Sequence, residues 1–158
     1  MRPSLQSVLL GTNRTASYRM FWAALCSSLF LFTFAGYALG FFEVGGCLMI
    51  IPGDAALVGM AAAFGIGYSQ NGLLFAWLGT FASLLGFTAD HAFFGISRLS
   101  IREQLSVVFE WDGLAFFAIA GVVLGSLAFS VGILVRAGVV LLRRELAGSQ
   151  PLRRLLAQ

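Results

Sequence analysis

Asp54 is the only charge in an apolar stretch of 25 residues, 44–68, and it directly follows Pro52-Gly53. The stretch is long enough to cross a bilayer, for which about 20 apolar residues suffice. Proline removes a backbone donor and glycine loosens the chain, so a helix here is expected to break beside the charge. A carboxylate at membrane depth is costly, and interrupted backbone there must be enclosed by protein or line a wet cavity. Such a residue reads by default as part of a functional site. A second role is compatible with the first. After Pro52-Gly53, Asp54 can cap a helix starting at Ala55, accepting its free N–H groups and meeting the positive end of its dipole.

The remaining sequence sets the class. Of 158 residues, 59% are hydrophobic and only 11% charged, with a mean hydropathy of +0.90. Soluble domains carry about 25% charge. An all-α, multi-pass integral membrane protein is predicted, with four transmembrane helices over about 20–42, 44–68, 72–97 and 113–142. The second is broken at Pro52-Gly53. Residues 1–19 form a polar N-terminal segment, 69–72 a turn, 98–112 a mixed-charge loop and 143–158 a basic tail. The first apolar segment is longer than a signal-peptide core, so it is expected to be a retained helix.

All ten basic residues are arginine. With four spans, Arg2, Arg14, Arg19, Arg136, Arg143, Arg144, Arg153 and Arg154 share a side, and only Arg98 and Arg102 face the other. The positive-inside rule then puts both termini in the cytoplasm and the protein in the cell membrane. A re-entrant hairpin over 44–68 would instead place the termini on opposite sides. The arginine clustering is that of membrane orientation, so nucleic acid is not expected as a partner. Arg143, Arg144, Arg153 and Arg154 are candidates for contact with anionic lipid headgroups. Arg136, inside the last span, is expected to snorkel.

Chemistry-bearing residues are few. The proton- or substrate-binding candidates are Asp54, Asp90, Arg98, Glu43 and His91. Glu43 falls at a span end. Asp90 closes the third span, with His91 beside it. Arg98 lies eight residues after Asp90, on roughly the same helix face if the helix continues. Cys26 and Cys47 lie in apolar segments with no partner at ligand spacing and read as small buried hydrophobes. One histidine and no lysine exclude a multi-histidine zinc site and any lysine-based Schiff base. No Gly-x-Ser-x-Gly, His-Glu-x-x-His or phosphate-binding loop occurs. Neither enzyme activity nor a cofactor or metal is expected.

Small residues recur four apart: Gly36 and Gly40, Gly59 and Ala63, Gly79 and Ser83, Gly121 and Gly125. This spacing lets helix backbones approach closely in lipid. It serves ordinary bundle packing, or a homodimer or partner-subunit face through Gly36/Gly40 and Gly121/Gly125.

Residues 50–98 resemble one known family. Ile51-Pro52-Gly53-Asp54-Ala55-Ala56-Leu57 looks like the Pro-Gly-acid segment of the DedA family, also called VTT or SNARE-associated membrane proteins. Gly86-Phe87-Thr88-Ala89-Asp90 followed by Gly95-Ile96-Ser97-Arg98 is similar to its Gly-Asp and Gly-Arg stretch. The resemblance implies a proton-coupled transporter or lipid scramblase. Asp54 and Asp90 then match the acidic positions, Arg98 the basic one and Glu43 an upstream acid. The likeness covers about a third of the chain. Ser97 stands where the family has glycine, and the family's second half has no counterpart in 113–158.

Two functions fit these residues. One is a small transporter, or a lipid- or proton-handling protein, working through Asp54, Asp90 and Arg98. The other is a structural or accessory subunit of a membrane complex, with Asp54 as a helix cap.

Overall fold

The computed structural model describes residues 9, 16–42, 51–95 and 100–148. It is all-helical, with three helices long and apolar enough to cross a membrane: Met20–Ala38, Leu73–Gly95 and Trp111–Glu145. The helices are α1 (Ala16–Ala38), α2 (Gly53–Ser69), α3 (Leu73–Asp90), α4 (Ile101–Val108) and α5 (Trp111–Gly148). A π-helical turn, His91–Gly95, continues α3. Helix α2 has 17 residues, about 26 Å at 1.5 Å per residue, and falls short of the ~30 Å hydrocarbon core. The four predicted crossing segments thus become three long helices and one shorter one. The short one starts at Gly53 because Pro52 is extended (φ −64°, ψ 116°) and cannot belong to the helix. Residues 44–50, the first part of the predicted second span, lie outside the described residues.

The helices run alternately up and down. Trp22 near the start of α1 stacks on Phe75 near the start of α3, and Tyr37 near the end of α1 touches Phe87 near the end of α3. Helix α2 returns between those levels. The Nη1 of Arg136, on α5, donates to the carbonyl of Tyr68, at the far end of α2, over 2.9 Å. Arg136 therefore serves a helix C-terminus. It joins Gln70 and Asn71, whose N–H groups bond the Gly67 and Ile66 carbonyls. Gln70 adopts the left-handed conformation that closes such a helix end (φ 60°). One end of the bundle is thus marked by Arg136 and the 70–72 turn, the other by Trp111.

Helix α3 is the hub. It packs against α1, α2 and α5; α2 and α5 pack against each other, while α1 scarcely meets α2. The small residues explain how close these packings are. A Cβ on Gly59 would come within 2.8 Å of the Thr80 backbone. Gly67 lies against the Phe129 backbone, and Gly132 against that of Phe64. Gly121 meets Phe81, and Gly125 meets Ala76 and Thr80. Gly36 is covered by the Phe42 ring. Gly40 has left the helix: it sits at φ 71° in the turn that ends α1. Within this chain Gly121 and Gly125 pack on α3, as the bundle-packing alternative expects, while Gly40 has open space around its Cβ position.

Large apolar side chains crowd the outside of the bundle, and its fully buried positions are mostly small. Phe32, Leu39, Leu127 and Leu134 are well exposed, whereas the largest fully buried side chains are Leu84, Thr33, Thr80 and Ser83. Three of those four carry a hydroxyl, and each hydroxyl is bonded. Thr33 donates to the Leu29 carbonyl over 2.9 Å and Thr80 to that of Ala76 over 2.9 Å. Ser83 donates across helices to the Ala55 carbonyl over 2.6 Å. Where apolar surface gains nothing by leaving lipid, small bonded residues supply the contact.

Residues 98–112, predicted as a loop, contain α4. Its start is fixed by Ser100, whose Oγ and backbone N–H both donate to Glu103 Oε2, at 2.7 and 2.8 Å. The Ser100 hydroxyl, and then its N–H, hold the Glu103 carboxyl below its ordinary value of 4.5. The folded value is the lower one. The cap's contribution is therefore complete above 4.5 and is lost as pH falls through the depressed value. Amide hydrogen exchange in the first turn of α4 should quicken on acidification below 4.5 in the parent protein, and Glu103→Gln should remove that pH dependence.

Candidate functional site

The polar residues gather around the N-terminus of α2. Gly53 is its first residue and Asp54 its second. The helix thus begins two residues earlier than predicted, and Asp54 sits inside the first turn rather than at the cap position. Its negative charge still meets the positive end of the dipole. Ala56 N–H reaches back to the Pro52 carbonyl over 3.0 Å. The next free donor, Ala55 N–H, is taken from another helix: it donates to Tyr37 Oη over 3.3 Å. Ser83 of α3 holds the carbonyl of the same residue. Ala55 is pinned on both sides, and α1, α2 and α3 are tied together at one point.

Tyr37 is itself wedged. Phe87 and Phe42 meet its ring edge-on, with centroids 5.0 and 5.3 Å away. Its hydroxyl lies within electrostatic reach of both Asp54 and Asp90. Asp54, in the first turn of α2, and Asp90, the last residue of α3, thus lie at the same end of the bundle. Both are half-buried. Asp90 Oδ1 is enclosed and has no hydrogen-bond partner among the described residues. A buried carboxylate oxygen without a donor is costly, so it marks a place where a proton, water or cation would be stabilised.

Depth can be read along α5. Ala120 shares a core cluster with Tyr37, Ala55, Ala56 and Leu84. It lies nine residues from Trp111, about 13 Å, and sixteen from Arg136, about 24 Å. The centre therefore sits inside the bundle, nearer the Trp111 end than the Arg136 end.

The other candidates divide. His91 is exposed and opens the π-helical turn. Its ring stacks on Phe87, with centroids 6.2 Å apart, and it lies within electrostatic reach of Asp90. Arg143 and Arg144 are exposed on α5, which continues through them as helix. Glu43, Arg98, Arg153, Arg154 and Cys47 lie outside the described residues. Among the described residues no three His, Cys, Asp or Glu side chains gather as a metal site.

Three features escaped the sequence reading. Tyr37 and Ser83 looked like ordinary span residues, because their partners are 18 and 28 residues away in the chain. The π-helical turn after Asp90 had no sequence signal. Such turns concentrate at functional sites because they displace the side chains around them. One cavity lies elsewhere. It occupies about 640 Å³ between α1 and α3 and is lined by Trp22, Cys26, Phe30, Phe75 and Leu85 among others, nearly all apolar. We take the polar centre as the candidate site, because the cavity offers no charged group.

Fold and site together define an all-helical chain with three helices long and apolar enough to span a bilayer, compatible with a multi-pass membrane protein. No family model matches the chain, and no curated protein or solved structure does either.

Proposed function

We propose that this is a small multi-pass protein of the cell membrane that passes protons, or a proton-coupled solute or lipid, through the centre formed by Tyr37, Asp54 and Asp90. The observation that carries this reading is the Asp90 oxygen that is enclosed and unpartnered among the described residues, at the bundle end where α2 begins with Asp54 in its first turn. Carboxylates in transmembrane segments mark ion and proton pathways, and helices that start at membrane depth are how transporters build such sites. In this reading α2 belongs to the fourth crossing segment, and both termini face the cytoplasm. Arg98 and Glu43 belong to the same pathway, and kinship with the DedA family rests on the motifs in 50–98. The accessory-subunit reading is favoured by one observation, the open apolar cavity between α1 and α3, which another hydrophobic segment could fill.

Water access at position 54 tests the proposal. Cys26 and Cys47 are replaced by alanine, and Asp54→Cys supplies the only thiol. Reaction with a membrane-impermeant thiol reagent from one side, in intact cells or in inverted vesicles, is expected. Asp90→Cys, made separately, should react from the same side. A thiol at 54 inert from both sides, beside a reactive one at 90, leaves Asp54 as a buried helix-end charge and removes the transport reading.

A further inference from the structure

Helix α4 divides into three faces. Gln104 and Val108 are buried, and α4 packs on the π-helical turn and the end of α3. Arg102, Glu103 and Ser106 are exposed and polar. Between these faces runs an exposed apolar stripe of Ile101 (72% exposed), Leu105 (42%) and Phe109 (65%). At about 100° per residue, positions four apart advance only about 40°, so the stripe keeps to one side of the helix. Arg102 stands about 20° beyond Phe109, on the edge where apolar gives way to polar.

An exposed apolar stripe in water is a liability. Its neighbours identify what covers it. Phe94 at the end of the α3 span and Trp111 at the start of the α5 span are 63% and 81% exposed. They bracket α4 in the chain and are exposed apolar residues at the adjoining ends of the two long helices. That surface is apolar further along α5, where Ile119 is 66% exposed. Tryptophan and arginine at this level are the residues that settle among headgroups and phosphates.

We infer that α4 lies in the plane of the bilayer at the Trp111 end, with Ile101, Leu105 and Phe109 in the lipid and Arg102 at the phosphate level. Its buried face holds the π-helical turn, so the membrane surface and the backbone beside Asp90 are joined through one short helix. The inference rests on the chain spanning a bilayer, as proposed above. It adds a lipid-facing role for a segment that reads in sequence as a charged loop.

The test uses the full chain with Cys26→Ala and Cys47→Ala, reconstituted in vesicles of phosphatidylcholine and phosphatidylglycerol. Single cysteines are introduced as Ile101→Cys, Leu105→Cys, Phe109→Cys, Arg102→Cys and Ser106→Cys, and spin-labelled. Ile119→Cys reports on the span itself. Collision with oxygen, which favours lipid, is compared with collision with a water-soluble nickel chelate. The oxygen-to-nickel ratio is expected to be several-fold higher at 101, 105 and 109 than at 102 and 106, and high at 119. Uniformly nickel-accessible labels on α4, with 119 in lipid, overturn the inference and leave the spanning helices intact. Labels at 101, 105 and 109 shielded from both reagents and broadened by spin–spin coupling also overturn it, because a second copy then covers the stripe. Nickel access at 119 overturns the membrane reading and the inference together.

Discussion

Gly132→Leu is expected to unlock α2 from α5 and to destabilise the protein by about 3 kcal/mol or more, at the upper end for overpacking. Gly132 sits where the two helix backbones are in close contact. A side chain there meets the Phe64 carbonyl and, at 2.8 Å, the Tyr68 nitrogen. These are backbone atoms of a helix, so no rotamer change can make room. The crossing has to open. The same displacement pulls Tyr68 away from Arg136 and breaks the 2.9 Å hydrogen bond at the end of α2. Gly138→Leu is the control. It lies on the same helix, and nothing comes within 4 Å of its Cβ position. Its effect should stay within about 1 kcal/mol, the scale of helix propensity. Thermal unfolding in detergent measures both. If the two variants melt together, α2 and α5 do not cross at Gly132.

Asp90→Asn is expected to cut proton flux into reconstituted vesicles by roughly tenfold or more, about 1.4 kcal/mol of barrier, while the protein still inserts. Asparagine keeps the shape of the side chain and removes its capacity to take up and release a proton. The enclosed Oδ1 is the reason to expect a large effect, because no described group stands ready to replace the lost chemistry. Tyr37→Phe separates architecture from chemistry. It leaves both carboxylates in place and removes the oxygen that accepts from Ala55 N–H. An unpaired buried N–H costs about 1–3 kcal/mol, so this variant should melt earlier and loosen the start of α2. Equal flux in parent, Asp54→Asn and Asp90→Asn would end the transport reading and favour the accessory one.

The sequence disclosed the membrane class, because charge and hydropathy are summed over the whole chain. It also located the start of α2 at Pro52-Gly53, where backbone chemistry is local. Asp54 and Asp90 stood out as charges in apolar surroundings. The role of Tyr37 was not legible, because it depends on α1 and α2 meeting at Ala55, and nothing in the local sequence encodes that meeting. Helix α4 was read as a loop because its charges masked a four-residue apolar period. Gly121 and Gly125 meet α3 of the same chain, one of the two alternatives their spacing left open. Spacing announces a close helix contact but not whether the other helix belongs to the same chain.

The arrangement around α3 has a consequence for biogenesis. Helix α1 scarcely meets α2 and takes its packing from α3. During synthesis α3 is made last of these three. The first helix therefore waits as a solitary hydrophobic rod, while α2, too short to cross alone, has neither α3 nor α5 to lean on. Only when the third helix emerges can Thr33 settle beside Gly86 and Ser83 clasp Ala55. Insertion and folding are thus separated in time by the length of chain between Ala38 and Leu73. Mutations at the α3 hub should show up first as poor yield of inserted protein, before any assay of function is reached.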